Sequence, residues 1–397
     1  MNNKVLLAFS GGLDTSFCVK YLKNEKQLEV HTALVNTGGF TKDELAEMEK
    51  KAIALGSEGH VTLEETENFY NKGIKYLIFG NILKNSTYPL SVSAERAFQA
   101  IALIEYAKKI GAKYIAHGST GAGNDQVRFD LIFQVLAPSI EIITPIRDLK
   151  ISRQEEIDYL KKHGYDFPWS KAKYSINQGL WGTSVGGVET LTAKGELPEE
   201  AYPTPCSKQG SEKLSILFEK GEPIGINGKK MSPVEAIRML NSLASPYGIG
   251  RDVHVGDTIT GLKGRVGFEA AAPLILIKAH HLLEKHVLTK WQQYWKEMLA
   301  NWYGMLLHEA QYLDPVMRNI ETFMESTQTY VSGSVDVKLQ PYHFSLTGCE
   351  SEYDLMNSKF GNYGEMNSAF TGEDVKGFTT ILASQMNMYF TTHKKQN

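Results

Sequence analysis

The chain has 397 residues, 42% apolar and 22% charged, with 42 Lys and Arg against 45 Asp and Glu for a net charge of −3. That length exceeds the roughly 250–300 residues at which one core stops growing, so two domains are expected. The near-balanced charge argues against a nucleic-acid partner, which favours a strongly basic surface.

Cys18, Cys206 and Cys349 lie far apart with no Cys-x-x-Cys pair. A disulfide framework or thiolate zinc site is not expected, and a reducing compartment fits. The apolar run Val5–Phe9 is too short for a signal peptide, and no segment reaches the ~18 apolar residues of a membrane span. A cytoplasmic protein with no membrane partner is expected.

Val5–Phe9, ended by Ser-Gly-Gly, reads as a strand buried on both faces. Asp14–Lys23 suits a helix packed on a sheet through Phe17, Val19, Tyr21 and Leu22. Val30–Val35 reads as a strand, Leu45–Leu55 and Ala94–Ile110 as helices, and Lys113–His117 and Ile140–Thr144 as further strands. Strands separated by helices imply parallel pairing. The expected class is α/β, with a doubly wound parallel sheet in a nucleotide-binding domain over residues 1–165.

The pattern changes near residue 165, around Pro168, and residues 179–210 are rich in Gly, Pro, Thr and Ser. A second, α+β domain is expected over 166–370. Strands are predicted at Pro223–Ile226 and Arg251–Val255, a helix at Pro233–Leu243, strands over Val266–Ile277, one long helical segment over Leu282–Tyr312 and a strand pair over Val335–Leu346. A helix at Asp374–Phe390 lies in a tail, 371–397, that docks on something, such as a partner subunit. Lys394-Lys395 ends it as a solvated pair. Trp291, Trp295, Met298 and Trp302 fall at helical spacing and read as core or subunit interface. His280, His281 and His286 lack metal-ligand spacing, so no metal site is assigned.

The sharpest motif is Ser10-Gly11-Gly12-Leu13-Asp14-Thr15-Ser16, between the first strand and helix. Two glycines let the backbone turn tightly against an anion. The loop N–H groups and the helix dipole then point at it, with three hydroxyls beside them. It is neither a Walker A loop nor a dinucleotide fingerprint. A second block, His117 to Phe129, is a strand end, a glycine-rich turn and a helix opened by Asn124 or Asp125. Arg128, one turn in, suits a planar carboxylate or ureido oxygen. A third, Tyr88 to Arg96, places Ser93 as a candidate helix cap.

These blocks together resemble the N-type ATP pyrophosphatases, and within them the argininosuccinate synthase family, in register from Lys4 to about Gly267. The resemblance implies ATP-dependent ligation of citrulline and aspartate to argininosuccinate through a citrulline adenylate, with AMP and pyrophosphate released and Mg²⁺ sharing the phosphate charge. It assigns ATP to Ala8, Phe9, Ser10 through Ser16, Val35 and Gly118. Citrulline goes to Tyr88, Ser93, Arg96, Asn124, Arg128, Ser175 and Ser184, and aspartate to Thr120, Asn124 and Asp125. It makes 166–370 a synthetase and multimerisation domain and implies a homotetramer.

Three departures stand out. Gly256 and Phe268 occupy positions where the family supplies Glu and Tyr to citrulline, and Asp257 or His254 is a candidate replacement for the carboxylate. Gly39 stands where a Gln is common, and Ser91-Val92-Ser93-Ala94 replaces Gly-Thr-Ser-Leu. The alternative function is another pyrophosphate-loop adenylating enzyme, for tRNA thiolation or amide synthesis.

Overall fold

A computed structural model describes residues 3–167, 173–357, 364 and 369–394. Pro168 and Lys395 lie outside them. The first half builds β1 (Lys4–Ala8), α1 (Leu13–Asn24), β2 (Glu29–Asn36), α2 (Lys42–Ala54) and β3 (Gly59–Glu64). There follow the short helices α3 (Thr66–Phe69) and α4 (Lys75–Phe79), then α5 (Glu95–Lys109), β4 (Tyr114–Ala116), α6 (Asp125–Leu136), β5 (Glu141–Ile143), α7 (Pro145–Leu149) and α8 (Arg153–Lys162).

All five strands run parallel, in the order β3-β2-β1-β4-β5. Side chains of a strand alternate between faces. Val5 and Leu7 accordingly enter one core with Phe17, Val19 and Leu160, and Leu6 enters the other with Phe98 and Ile104. Helices therefore cover both faces, the doubly wound arrangement the sequence predicts. The order jumps outward from β1 to β4, and ligands bind outside the strand C-termini at such a switch point.

The second half is antiparallel. Its elements are β6 (Ser175–Gly179), β7 (Gly182–Gly186), β8 (Glu212–Glu219), β9 (Glu222–Ile226), β10 (Lys229–Lys230), α9 (Pro233–Ala244), β11 (Arg251–Asp257) and β12 (Lys263–Glu269). Then come α10 (Ala271–Val287), α11 (Lys290–His308), α12 (Pro315–Thr327), β13 (Gly333–Gln340), β14 (His343–Glu350) and α13 (Gly372–His393). Two sheets form, β10-β9-β8-β13-β14 and β11-β12-β7-β6.

Several expectations need correction. Val266–Ile277 is a strand only to Glu269. From Ala271 its apolar run is the buried start of α10, and a continuous apolar run cannot separate a strand from a buried helix by period. Leu282–Tyr312 is not one helix, because Thr289 and Gln292 form a capping box that starts α11 afresh. Ser93 does not cap α5. Its hydroxyl donates to the Leu90 carbonyl at 3.3 Å, and the cap position is Ala94. The strands β3 and β8 and the helices α8 and α12 have no counterpart in the sequence reading.

The tryptophan stripe is not core: Trp291, Trp295, Met298 and Trp302 all lie exposed on α11. The three histidines diverge. His280 bonds Asn81 at 2.7 Å and Gln328 at 2.9 Å beside a buried Lys296–Glu284 pair at 2.7 Å. His281 faces Glu297, and His286 faces Asp354. Among the described residues no helix is long and apolar enough to cross a membrane.

Candidate active site

A cavity of about 1130 Å³ opens above the C-terminal ends of β1, β2 and β4, and the β6–β7–β12–β11 sheet forms its other wall. Gly11 sits at φ +73°, and a Cβ there would collide with the Met48 sulfur of α2. Lys51, one turn on, donates to the Gly11 carbonyl at 2.5 Å. The loop is therefore clamped from behind by α2, leaving its front open. Ser16 turns inward and donates to the Gly12 carbonyl at 2.7 Å, and Ser10 and Thr15 share a hydroxyl contact at 3.4 Å. No side chain caps α1 at Gly12, which leaves the first turn of this helix open to a ligand anion in the cavity.

Burial raises the Asp14 carboxyl above its ordinary range, and burial together with neighbouring Asp14 pushes Glu156 of α8 up to about 8. Of the residues the family resemblance assigns to the site, Gly11 and Ser16 are the two that do not line the cavity. Gly11 is turned to Met48, and Ser16 is tucked beneath the loop.

The second block is rigidly built. Ser119 N–H donates to His117 Nδ1 at 3.2 Å, so His117 carries its proton on Nε2 and donates to Asp130 at 2.9 Å. A Cβ at Gly118 would stand 3.3 Å from the Asp14 backbone, so the two glycine loops touch there. Gln126 ties down the Gly121 and Gly123 carbonyls. Asn124 Oδ1 accepts from Ile259 N–H at 2.8 Å, in the turn between β11 and β12, which joins the two halves at the site.

Asp125 lies between two guanidiniums, Arg96 Nε at 3.1 Å and Arg128 Nη1 at 2.8 Å. Burial pushes its carboxyl up, but the two arginines outweigh that and hold it near 2. Arg128 also donates from Nε to the His308 carbonyl at 2.8 Å and from Nη2 to His308 Nε2 at 3.3 Å. His308 is thereby held neutral, driven down to about 2 by burial and then by Arg128. His308 and Arg128 are 180 residues apart, and no sequence signal connects them.

Glu95, also absent from the sequence reading, accepts from Thr37 at 2.8 Å and pairs with Arg96 at 3.0 Å. Burial pushes it up to about 7 despite Arg96. A carboxyl raised in the folded state stabilises the fold below its ordinary value near 4.3 and loses that contribution as pH rises through about 7. We therefore expect Glu95→Gln to lose less thermal stability than the parent between pH 5 and 8. Parallel melting curves across that range check this.

The loop before α5 is strained. Leu90 and Val92 both adopt positive φ, +62° and +61°, a conformation costly for a β-branched residue. Tyr88 is buried, with its hydroxyl committed to the Ser91 carbonyl. Its ring stacks on His254 at 5.0 Å and tilts against Phe268 at 5.4 Å. Phe268 is therefore core packing beneath the wall. Ser184 opposes Phe268 across β7 and β12 and Asn177 across β6 and β7, and alternation puts Ser175, Val266, His254 and Gly256 on that same face. Thr120 is exposed at the rim. Asp257 pairs with Lys263 at 2.6 Å and is not a free replacement carboxylate. Gly39 is explained by space: a Cβ there would strike the Gln178 carbonyl of β6.

The pairing of a phosphate-type loop with an arginine–carboxylate network has relatives. Residues 4–166 match the arginosuccinate synthase N-terminal HUP domain, and residues 174–389 match the arginosuccinate synthase C-terminal domain. The argininosuccinate synthase of Dictyoglomus thermophilum is 39% identical over 97% of each chain. That of Methanocaldococcus jannaschii is 38% identical over 92% of this chain and 93% of the relative. That of Xanthomonas campestris is 35% identical over 97% and 98%.

Proposed function

The chain belongs to the argininosuccinate synthase family, and from that premise we propose that its cavity joins citrulline to aspartate with ATP, releasing AMP and pyrophosphate, as a step of arginine biosynthesis. One observation carries the reading: the glycine–hydroxyl loop and the Arg96–Asp125–Arg128 cluster, far apart in sequence, face one cavity.

The chemistry needs both. A ureido carbon is a poor electrophile. Its oxygen attacks the α-phosphorus of ATP, the bond from that phosphorus to the bridging oxygen breaks, and pyrophosphate leaves. The aspartate amine then attacks the activated carbon, the bond to the AMP oxygen breaks, and the amine proton passes to a phosphate oxygen of the departing AMP. The protein contributes positioning and charge stabilisation. The front of the Ser10–Ser16 loop receives the departing pyrophosphate, whose charge grows as it leaves. Arg128 and Asn124 face the ureido group, Ser175 and Ser184 the rest of citrulline, and Thr120 the aspartate.

Mg²⁺ enters with the triphosphate. The described residues include no cage of three or more acidic, His or Cys side chains, which fits an ion held mainly by phosphate oxygens with at most one or two carboxylates. Asp14 is the loop's own candidate. The working division keeps the nucleotide on residues 1–165 and the synthetase and multimerisation unit on 166–370.

Citrulline, aspartate and ATP together should yield AMP and pyrophosphate; formation of ADP sinks the proposal. Thr120→Val should raise KM for aspartate about 10–100-fold, the worth of one hydrogen bond to a carboxylate, with KM for ATP unchanged. Equal rises in both would remove Thr120 from the aspartate subsite.

We also propose a homotetramer in the cytoplasm, where its free cysteines would stay reduced. Helix α13 buries no residue, yet it displays Phe378, Ile381, Leu382, Met386 and Phe390. An isolated helix this apolar is marginal in water, and the aromatic face of α11 is also exposed. Ile381→Glu with Phe378→Glu should lower the mass seen by light scattering; an unchanged mass removes α13 from the interface.

A further inference from the structure

His254 is the cavity's unusual member. It is 6% exposed and lines the cavity, and among the described residues neither ring nitrogen has a hydrogen-bond partner. Nδ1 is buried against protein, which leaves Nε2 as the ring's outward atom. Buried polar groups without partners are rare in folded proteins and call for a cause. The ring is fixed on one side by the stacked Tyr88 and on the other by Gly256. A Cβ at Gly256 would stand 2.5 Å from His254 Nε2. The imidazole therefore lies in space that only a glycine two residues on leaves free.

The charges around it are one-sided. The carboxylates lining the cavity are Asp14, Glu44, Glu95, Asp125 and Asp257, and each already has a partner within the protein. Asp14 is engaged with Glu156. Glu44 closes the Thr41 capping box. Glu95 and Asp125 are held by arginines, and Asp257 is held by Lys263. Lys84 acts on both His254 and His308 with positive charge, and Arg128 adds to it at His308. An ammonium group entering this wall meets no uncommitted anion. A carboxylate meets an imidazole N–H and a positive field.

We infer that His254 is a specificity-determining residue that donates from Nε2 to the carboxylate of the ureido substrate, and that the site reads this carboxylate and not an α-ammonium. The inference rests on the citrulline–aspartate reading. It widens the substrate class to ureido acids that lack the amine.

The test compares citrulline, 5-ureidopentanoate (citrulline without its α-amine) and citrulline amide as partners for aspartate and ATP in the full-length protein, with AMP and pyrophosphate as readout. We expect 5-ureidopentanoate to match citrulline in kcat/KM within about threefold, and the amide to fall by more than about 30-fold, the scale of one charge-assisted hydrogen bond. His254→Ala should raise KM for citrulline about tenfold or more and leave KM for ATP and aspartate unchanged. His254→Gln, which keeps an N–H, should recover much of the loss, and Gly256→Ala should reproduce it by displacing the ring. Rejection of 5-ureidopentanoate while citrulline is used normally would overturn the inference, as would retention of the amide. If neither ureido acid yields AMP, the underlying reading itself has failed.

Discussion

Arg128→Met should cut kcat by about 10²–10³-fold, the usual loss when one donor aimed at developing charge is removed, with a smaller rise in KM for citrulline. The guanidinium binds Asp125, the His308 carbonyl and the His308 ring at once. It therefore fixes the carboxylate and the α11 terminus in one geometry. Its removal leaves the His308 ring nitrogen and carbonyl without a donor, while Asp125 keeps Arg96. Breaking a fully buried ion pair costs about 3–5 kcal/mol, but Asp125 is 37% exposed, so we expect about 1–3 kcal/mol in urea unfolding. Arg128→Lys should restore little, because an ammonium cannot make this planar fork. Near-parental turnover by Arg128→Lys would show that charge alone suffices and remove the geometric role.

The sequence and the structure agree where a feature is local. Ser10–Ser16 is legible because two glycines between a buried strand and a helix have few physical meanings. The alternation of β1 is legible because both of its faces are covered. Features made across distance are not legible. His308 reaches Arg128 from α11, and Glu95 becomes important only when Thr37 and Arg96 close around it. Gly39 has no meaning as a residue until β6 is seen to pass over it. Ser93 reads as a cap because hydroxyls before a helix usually are caps, but the strained turn at Leu90 and Val92 carries its side chain elsewhere. The Leu274–Ile277 run misleads because a helix buried on all sides has the same composition as a strand.

Gly11→Val should be the most damaging single change at the nucleotide end, lowering kcat/KM for ATP by about 10³-fold or more, equivalent to ~4 kcal/mol of transition-state stabilisation. Two separate costs act at this residue. Its left-handed φ of +73° opposes any Cβ by about 1–2 kcal/mol, and a branched one by more. The new Cβ also collides with the Met48 sulfur. Neither the loop nor α2 can yield freely, because Lys51 anchors the Gly11 carbonyl to α2. The loop must therefore re-form with its N–H groups aimed elsewhere. Met48→Ala added to Gly11→Val removes the collision and leaves the backbone cost, so the double variant should regain part of the activity and not all of it. Full recovery would mean the left-handed turn is unnecessary. Activity within tenfold of the parent for Gly11→Val alone would mean that the departing pyrophosphate is held somewhere else.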